Sequence, residues 1–217
     1  MKNMMRLGVI LAIYSTIACV GLAFVYTGTM TVIAERQKAD LEAALKDLFP
    51  AANGFEDISG SIKSADESVT FVNEYLIKND ATPVGIAVRA QGKSYGGPTT
   101  ILVGIGADRK VAGVKVLENK DTPGLGANAA SPTYFVDRKA KTTFTGQFSG
   151  KSIDDRFEVK GDVVAITAST ITSKAIAGVV KAVSVAAGPK LAPAASASAP
   201  TAIPAPAVPA APQGGTK

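Results

Sequence analysis

From Leu7 to Val25 almost every position is apolar, and no Asp, Glu, Lys or Arg stands between Arg6 and Glu35. A run of this kind reaches the roughly 20 residues needed to cross a hydrocarbon core. Lys2 and Arg6 precede it and no acidic residue does, which places the N-terminus in the cytoplasm and the rest of the chain outside. A cleaved signal peptide would have a shorter apolar run and a small-residue cleavage site. Thr16-Ile17-Ala18-Cys19 has the outline of a lipidation signal, but the apolar run continues past the cysteine. The reading adopted is a single-pass anchor: 1–6 cytoplasmic, 7–26 transmembrane, 27–187 an extracytoplasmic domain, and 188–217 a tail.

Beyond the anchor the pattern changes period. Leu41, Leu45 and Leu48 recur at helical spacing, so 31–48 reads as a helix leaving the membrane, stopped at Phe49-Pro50. Short β-like runs follow over 69–77, 84–91, 99–106 and 111–118, with a further candidate over 157–166. Val84, Ile86 and Val88, and then Ile101, Val103 and Ile105, alternate with smaller or polar residues, as in half-buried strands. Asp108-Arg109-Lys110 is too short to be a crossover and reads as a hairpin turn, which predicts antiparallel pairing. Ile171, Ala175, Ile176, Val179, Val180 and Val183 give a closing helix one apolar face. The expected class is α+β: a mainly antiparallel sheet with packed helices, preceded by one transmembrane helix. The tail, with seven prolines among Ala and small polar residues, has too little apolar mass to offset its ordering entropy and reads as extended chain.

Composition narrows the chemistry. The chain has no histidine and one cysteine, which excludes His-based triads, His-ligated metals, an intrachain disulfide and a Cys-ligated cluster. Its net charge of +5 looks basic, but Lys2, Arg6, Lys190 and Lys217 all lie outside the domain. The other 19 basic residues face all 18 acidic ones, so the domain carries only +1. No nucleic-acid partner is implied. Redox or transfer chemistry in such a chain would need a borrowed cofactor.

Two motifs stand out. Thr167-Ala168-Ser169-Thr170-Ile171-Thr172-Ser173 puts hydroxyls at the junction of the last strand candidate and the last helix. They suit helix capping. The alternative is a phosphate held at a helix N-terminus, with a threonine as a point of ester attachment. Asp121-Thr122-Pro123-Gly124-Leu125-Gly126 is a turn whose glycines also permit close approach of a flat ligand.

In this order behind an anchor, these motifs, together with Tyr95-Gly96-Gly97-Pro98, Leu102-Val103-Gly104-Ile105, Val114–Glu118, Gln147–Lys151 and Thr170–Ala175, resemble the G subunit of the Rnf electron-transport complex. That family shares its flavin-binding domain with the C subunit of the sodium-pumping quinone reductase; the length of this chain favours the Rnf side. The resemblance implies FMN esterified through its phosphate to a threonine ending a Ser/Thr-Gly-Ala-Thr pattern, attached outside the membrane by a separate flavin transferase. Thr170 matches the acceptor and Thr167 the first position, while Ala168 and Ser169 stand where the family has Gly and Ala. The implied FMN contacts are Thr170, Thr167, Ser169, Ile171 and Thr172, with Thr122, Pro123, Gly124, Leu125 and Gly126 walling the ring. Tyr95 or Tyr134 would add an aromatic surface. The implied role is an electron-carrying subunit of a membrane complex that couples ferredoxin/NAD electron flow to ion movement, with the other subunits as partners. A different class fits the same residues: an anchored extracytoplasmic binding or scaffolding module whose hydroxyls only cap a helix.

Overall fold

The computed structural model describes residues 2–80 and 82–191; most of the tail, 192–217, lies outside them. A single helix, α1, runs from Lys2 to Leu48. The stretch expected to cross a membrane and the helix expected after it are therefore one element, because no glycine or proline interrupts the chain from Met30 to Leu48. Five strands follow: β1 (Gly54–Asp57), β2 (Val69–Asn79), β3 (Thr82–Lys93), β4 (Pro98–Gly106) and β5 (Val111–Glu118). They form an antiparallel meander in sequence order, as α+β patterning predicts. The β4–β5 connection is the expected hairpin: Arg109 adopts a left-handed φ of 61° and the Gly106 N–H donates to the Lys110 carbonyl at 2.8 Å. Two short strands, β6 (Phe135–Asp137) and β7 (Thr142–Thr143), pair separately, and α2 (Thr170–Ala187) closes the fold.

The sheet is covered on both faces. Ile86, Val88, Ile101, Val103 and Ile105 share a core with α2 residues Ile176, Val179, Val180 and Val183 and with Phe144, Phe148 and Phe157. On the other face Ile77, Ala87 and Leu102 pack under Leu41, Ala44, Leu45 and Phe49. This second layer corrects the expectation of half-buried strands. Seven consecutive residues of β4, Thr99–Ile105, are buried, because the end of α1 covers the face that alternation assigned to solvent.

The strand expected over 157–166 does not form. Phe157 and Lys160 take left-handed φ values of 50° and 74°, and only one bridge, Val159 to Val163, is made. The cause is Asp162, whose carboxylate accepts the N–H groups of Phe157 (3.1 Å) and Glu158 (2.6 Å) and a bond from Lys151 (3.2 Å). Burial disfavours its charge, but these donors outweigh that and hold its carboxyl below the usual range. The apolar residues of the segment, Phe157, Val163 and Ile166, are buried without being in a ladder. After α2, the Lys190 and Leu191 amides both donate to the Ala187 carbonyl and Leu191 is buried, so the described fold extends past the expected boundary at 187.

Candidate functional site

The two motifs, about 45 residues apart in sequence, meet at the start of α2. A cavity of about 560 Å³ is lined by Tyr95, Asp121, Thr122, Leu125, Gly126 and the run Ala168–Thr172. That size lies within the range of small-molecule and cofactor pockets.

Each wall has a local cause. In Thr122-Pro123-Gly124-Leu125 the Leu125 N–H donates to the Thr122 carbonyl at 3.1 Å and Gly124 has φ of 80°. Pro at the second position and a left-handed Gly at the third form the type II pattern. Pro123 and Gly124 thus build the turn without lining the cavity, and Leu125 is presented on it.

Asp121 ties this loop to the rest of the site. One of its carboxylate oxygens accepts the Ser94 hydroxyl (2.5 Å) and the Thr172 hydroxyl (2.6 Å), and the other accepts the Gly96 N–H (2.6 Å). Only 6% of Asp121 is exposed. Burial opposes its ionisation most strongly, but the hydrogen bonds from Ser94, Thr172 and Gly96 together prevail and lower its pKa. Gly126 closes the junction: a Cβ there would lie 2.5 Å from the Thr172 hydroxyl oxygen and closer still to Asp121. A side chain at 126 would separate the loop from α2.

The hydroxyl cluster sorts into distinct tasks. Thr172 is buried and committed to Asp121. Ser173 is buried, donates to the Ser169 carbonyl (2.9 Å) and accepts the Ile166 N–H (3.0 Å). Ser169 occupies the N-cap position of α2 but makes no side-chain cap bond. Thr167 is exposed beside the cavity rather than in its lining, its N–H donating to the Tyr134 hydroxyl at 3.3 Å. Tyr134 is used there and does not line the cavity. Thr170 alone is exposed, lines the cavity and stands at the first position of the helix. Capping, the plainest reading of the cluster, is not what the Ser169 hydroxyl does. Among the described residues the amides of Thr170, Ile171 and Thr172 find no protein acceptor.

Such a helix end carries unpaired donors and the positive end of the helix dipole, the setting that holds phosphates. Around it stand three exposed large side chains: Tyr95 at 75%, Leu125 at 42% and Ile171 at 55%. Anion-holding amides next to uncovered apolar surface fit the two ends of a flavin mononucleotide, its phosphate and its flat ring. No cluster of three or more His, Cys, Asp or Glu able to hold a metal occurs among the described residues.

Asp121, Ser94, Gly96 and Ala168 were not singled out as site residues by sequence reading. The signal for Asp121 was present as a lone acid opening a neutral Pro-Gly turn. Ala168 has φ of 59°, which explains the glycine usual in the resembled pattern. Ala168→Gly should relieve about 1–2 kcal/mol of left-handed strain against about 0.4–1 kcal/mol of added unfolded-state entropy. A gain of roughly 1–3 °C in the thermal midpoint is expected, read by circular dichroism.

Fold and site together define an FMN-binding domain behind a helix long and apolar enough to cross a membrane, and comparison with known proteins agrees. Residues 94–184 match the FMN-binding domain family and residues 1–48 match the RnfG N-terminal region. The chain is 30% identical to the G subunit of the Na(+)-translocating ferredoxin:NAD(+) oxidoreductase complex of Acetobacterium woodii, covering 81% of this chain and 87% of that one. It is 31% identical to the G subunit of the proton-translocating ferredoxin:NAD(+) oxidoreductase complex of Clostridium ljungdahlii, over 74% and 78% of the two chains. The corresponding subunit of the ion-translocating oxidoreductase complex of Methanosarcina acetivorans is 28% identical, over 81% and 89%. The chain belongs to the G-subunit family of the Rnf ion-translocating electron-transport complexes.

Proposed function

We propose that this chain carries FMN as a covalent phosphoester of Thr170 and serves as an electron relay on the outer face of the membrane. The complex would be one that couples ferredoxin and NAD redox chemistry to ion movement, with the pumping pathway in its other subunits. Lys2 and Arg6 before the apolar stretch support a cytoplasmic N-terminus and a single pass.

The observation that carries the reading is the combination at one point of an exposed hydroxyl, three unpartnered amides and the positive end of an 18-residue helix. The amides of Thr170, Ile171 and Thr172 would hold the phosphate oxygens, and Leu125, Tyr95 and Ile171 would cover the ring and exclude water from it. Asp121 would act indirectly, fixing the Thr122–Gly126 loop against α2. Bound FMN supplies reversible one- and two-electron chemistry that this side-chain set lacks.

Attachment needs a flavin nucleotide whose phosphate is activated as a phosphoanhydride. The Thr170 O–H bond is replaced by an O–P bond, the anhydride P–O bond breaks and its other half leaves as a free phosphate monoester, and the proton passes to a base of the separate flavin transferase. The test is to produce the chain in cells with and without such a transferase and view the gel band under ultraviolet light after denaturation in SDS. Flavin fluorescence only with the transferase is expected. A dark band in both would leave an anchored binding module without covalent flavin.

A further inference from the structure

One helix, α1, runs without a break from the apolar N-terminal stretch to the sheet of the domain. Beyond the expected span, residues 27–40 of α1 are exposed, and Leu41 is the first that the domain buries. Polar helices crossing solvent persist when opposite charges repeat at four-residue spacing. Here Glu42 precedes Lys46 by that interval in the favoured acid-first order, and Arg36–Asp40 and Lys38–Glu42 repeat it in the weaker reverse order.

The far end of α1 is clamped. Leu48 lies over Gly104 and Gly113, Asp47 pairs with Lys115, and Leu117 packs against the cluster that holds Leu41, Ala44 and Leu45. Contacts thus move back along α1 as they move forward along β5, so the two run antiparallel. The end of β5 at Glu118 therefore points back toward the N-terminal part of α1.

We propose that the exposed part of α1 between the membrane and Leu41, residues 27–40, is a rigid strut that sets both the height and the rotational angle of the cavity mouth against an electron partner embedded in the membrane. The proposal rests on reading 7–26 as the membrane span and the α2 cavity as the flavin site. Each added helical residue turns the domain by about 100° and lifts it by about 1.5 Å, so angle and height separate experimentally.

The test inserts alanines between Gln37 and Lys38 in the assembled complex. Two alanines rotate the domain by about 200° and lift it about 3 Å; four rotate it by about 40° and lift it about 6 Å. Electron transfer through the complex should fall at least tenfold with two alanines and recover substantially with four. A Gln37→Gly/Lys38→Gly pair should also lower it, by introducing a hinge. Spin labels on Cys19 and on Lys93→Cys give an independent readout by pulsed electron resonance. One narrow distance distribution is expected for unaltered α1 and a broad one for the Gly pair. Covalent flavin fluorescence should be equal in all variants, which separates misorientation from failed loading. A loss that grows steadily with insert length, equal turnover for two and four alanines, or a broad distribution in unaltered α1 would overturn the strut. Absent fluorescence throughout would sink the flavin reading, while the distance distribution still decides the strut.

Discussion

Thr170→Ala is expected to abolish covalent flavin completely and to leave the fold intact. Thr170 is exposed at the first turn of α2, and its hydroxyl makes no hydrogen bond among the described residues. Removing an exposed, unbonded hydroxyl changes stability by no more than about 0.5 kcal/mol, so the thermal midpoint should stay within roughly 2 °C of the parent. Fluorescence of the denatured band, in contrast, should vanish. Thr170→Ser keeps a nucleophilic oxygen at the same place and should retain part of the signal. Thr172→Ala provides the opposite control. It removes a buried partner of Asp121, so it should destabilise the domain by about 1–3 kcal/mol while leaving the attachment residue in place.

Asp121→Ala should be the most damaging single change near the site. It leaves the buried Ser94 and Thr172 hydroxyls and the part-buried Gly96 N–H without their acceptor. Stranding two buried hydroxyls costs about 3 kcal/mol or more, or roughly 6–12 °C in the midpoint of a domain this size. Because the Thr122–Gly126 loop then loses its tie to α2, flavin loading should fall with Thr170 untouched. Asp121→Asn keeps one acceptor oxygen and should cost less. The pH dependence follows in sign from the lowered pKa of Asp121. Its ionised form is bound more favourably in the folded state, so its contribution is present above the ordinary carboxyl pKa and is lost as pH falls through the folded value. Acid titration of stability should therefore be flatter at its low-pH end in Asp121→Asn, measured by urea unfolding at successive pH values.

Much of the fold was legible because the patterns were local. The alternation over Val84–Val88 and Ile101–Ile105 and the turn at Asp108–Lys110 mark a hairpin meander, and the apolar face from Ile171 to Val183 marks α2. What failed were features set by tertiary partners. Burial of β4 on both faces depends on α1 folding back over it, which period-two alternation does not encode. Phe157–Ile166 has the apolar content of a strand, but the Asp162 carboxylate captures its amides and turns the chain. β1, β6 and β7, at four residues or fewer, are too short for periodicity to register.

The site divides in the same way. Its two motifs were visible as clusters of Ser/Thr and Pro-Gly residues, but their meeting is made by Asp121, whose three partners lie 27, 25 and 51 residues away. Nor does spacing tell which hydroxyl is free. Thr167, Ser169, Thr170, Thr172 and Ser173 look alike in a string, and burial, bonding and place in the cavity wall together separate Thr170 from the rest.

Tandem mass spectrometry of the tryptic peptide 161–174 tests the flavin attachment most directly, because that one fragment holds all five of these hydroxyls. Taken from chain made in transferase-containing cells, it should carry the mass of FMN less one water, localised to Thr170. The same mass on Thr167 or Thr172, or a peptide recovered wholly unmodified, would contradict the assignment.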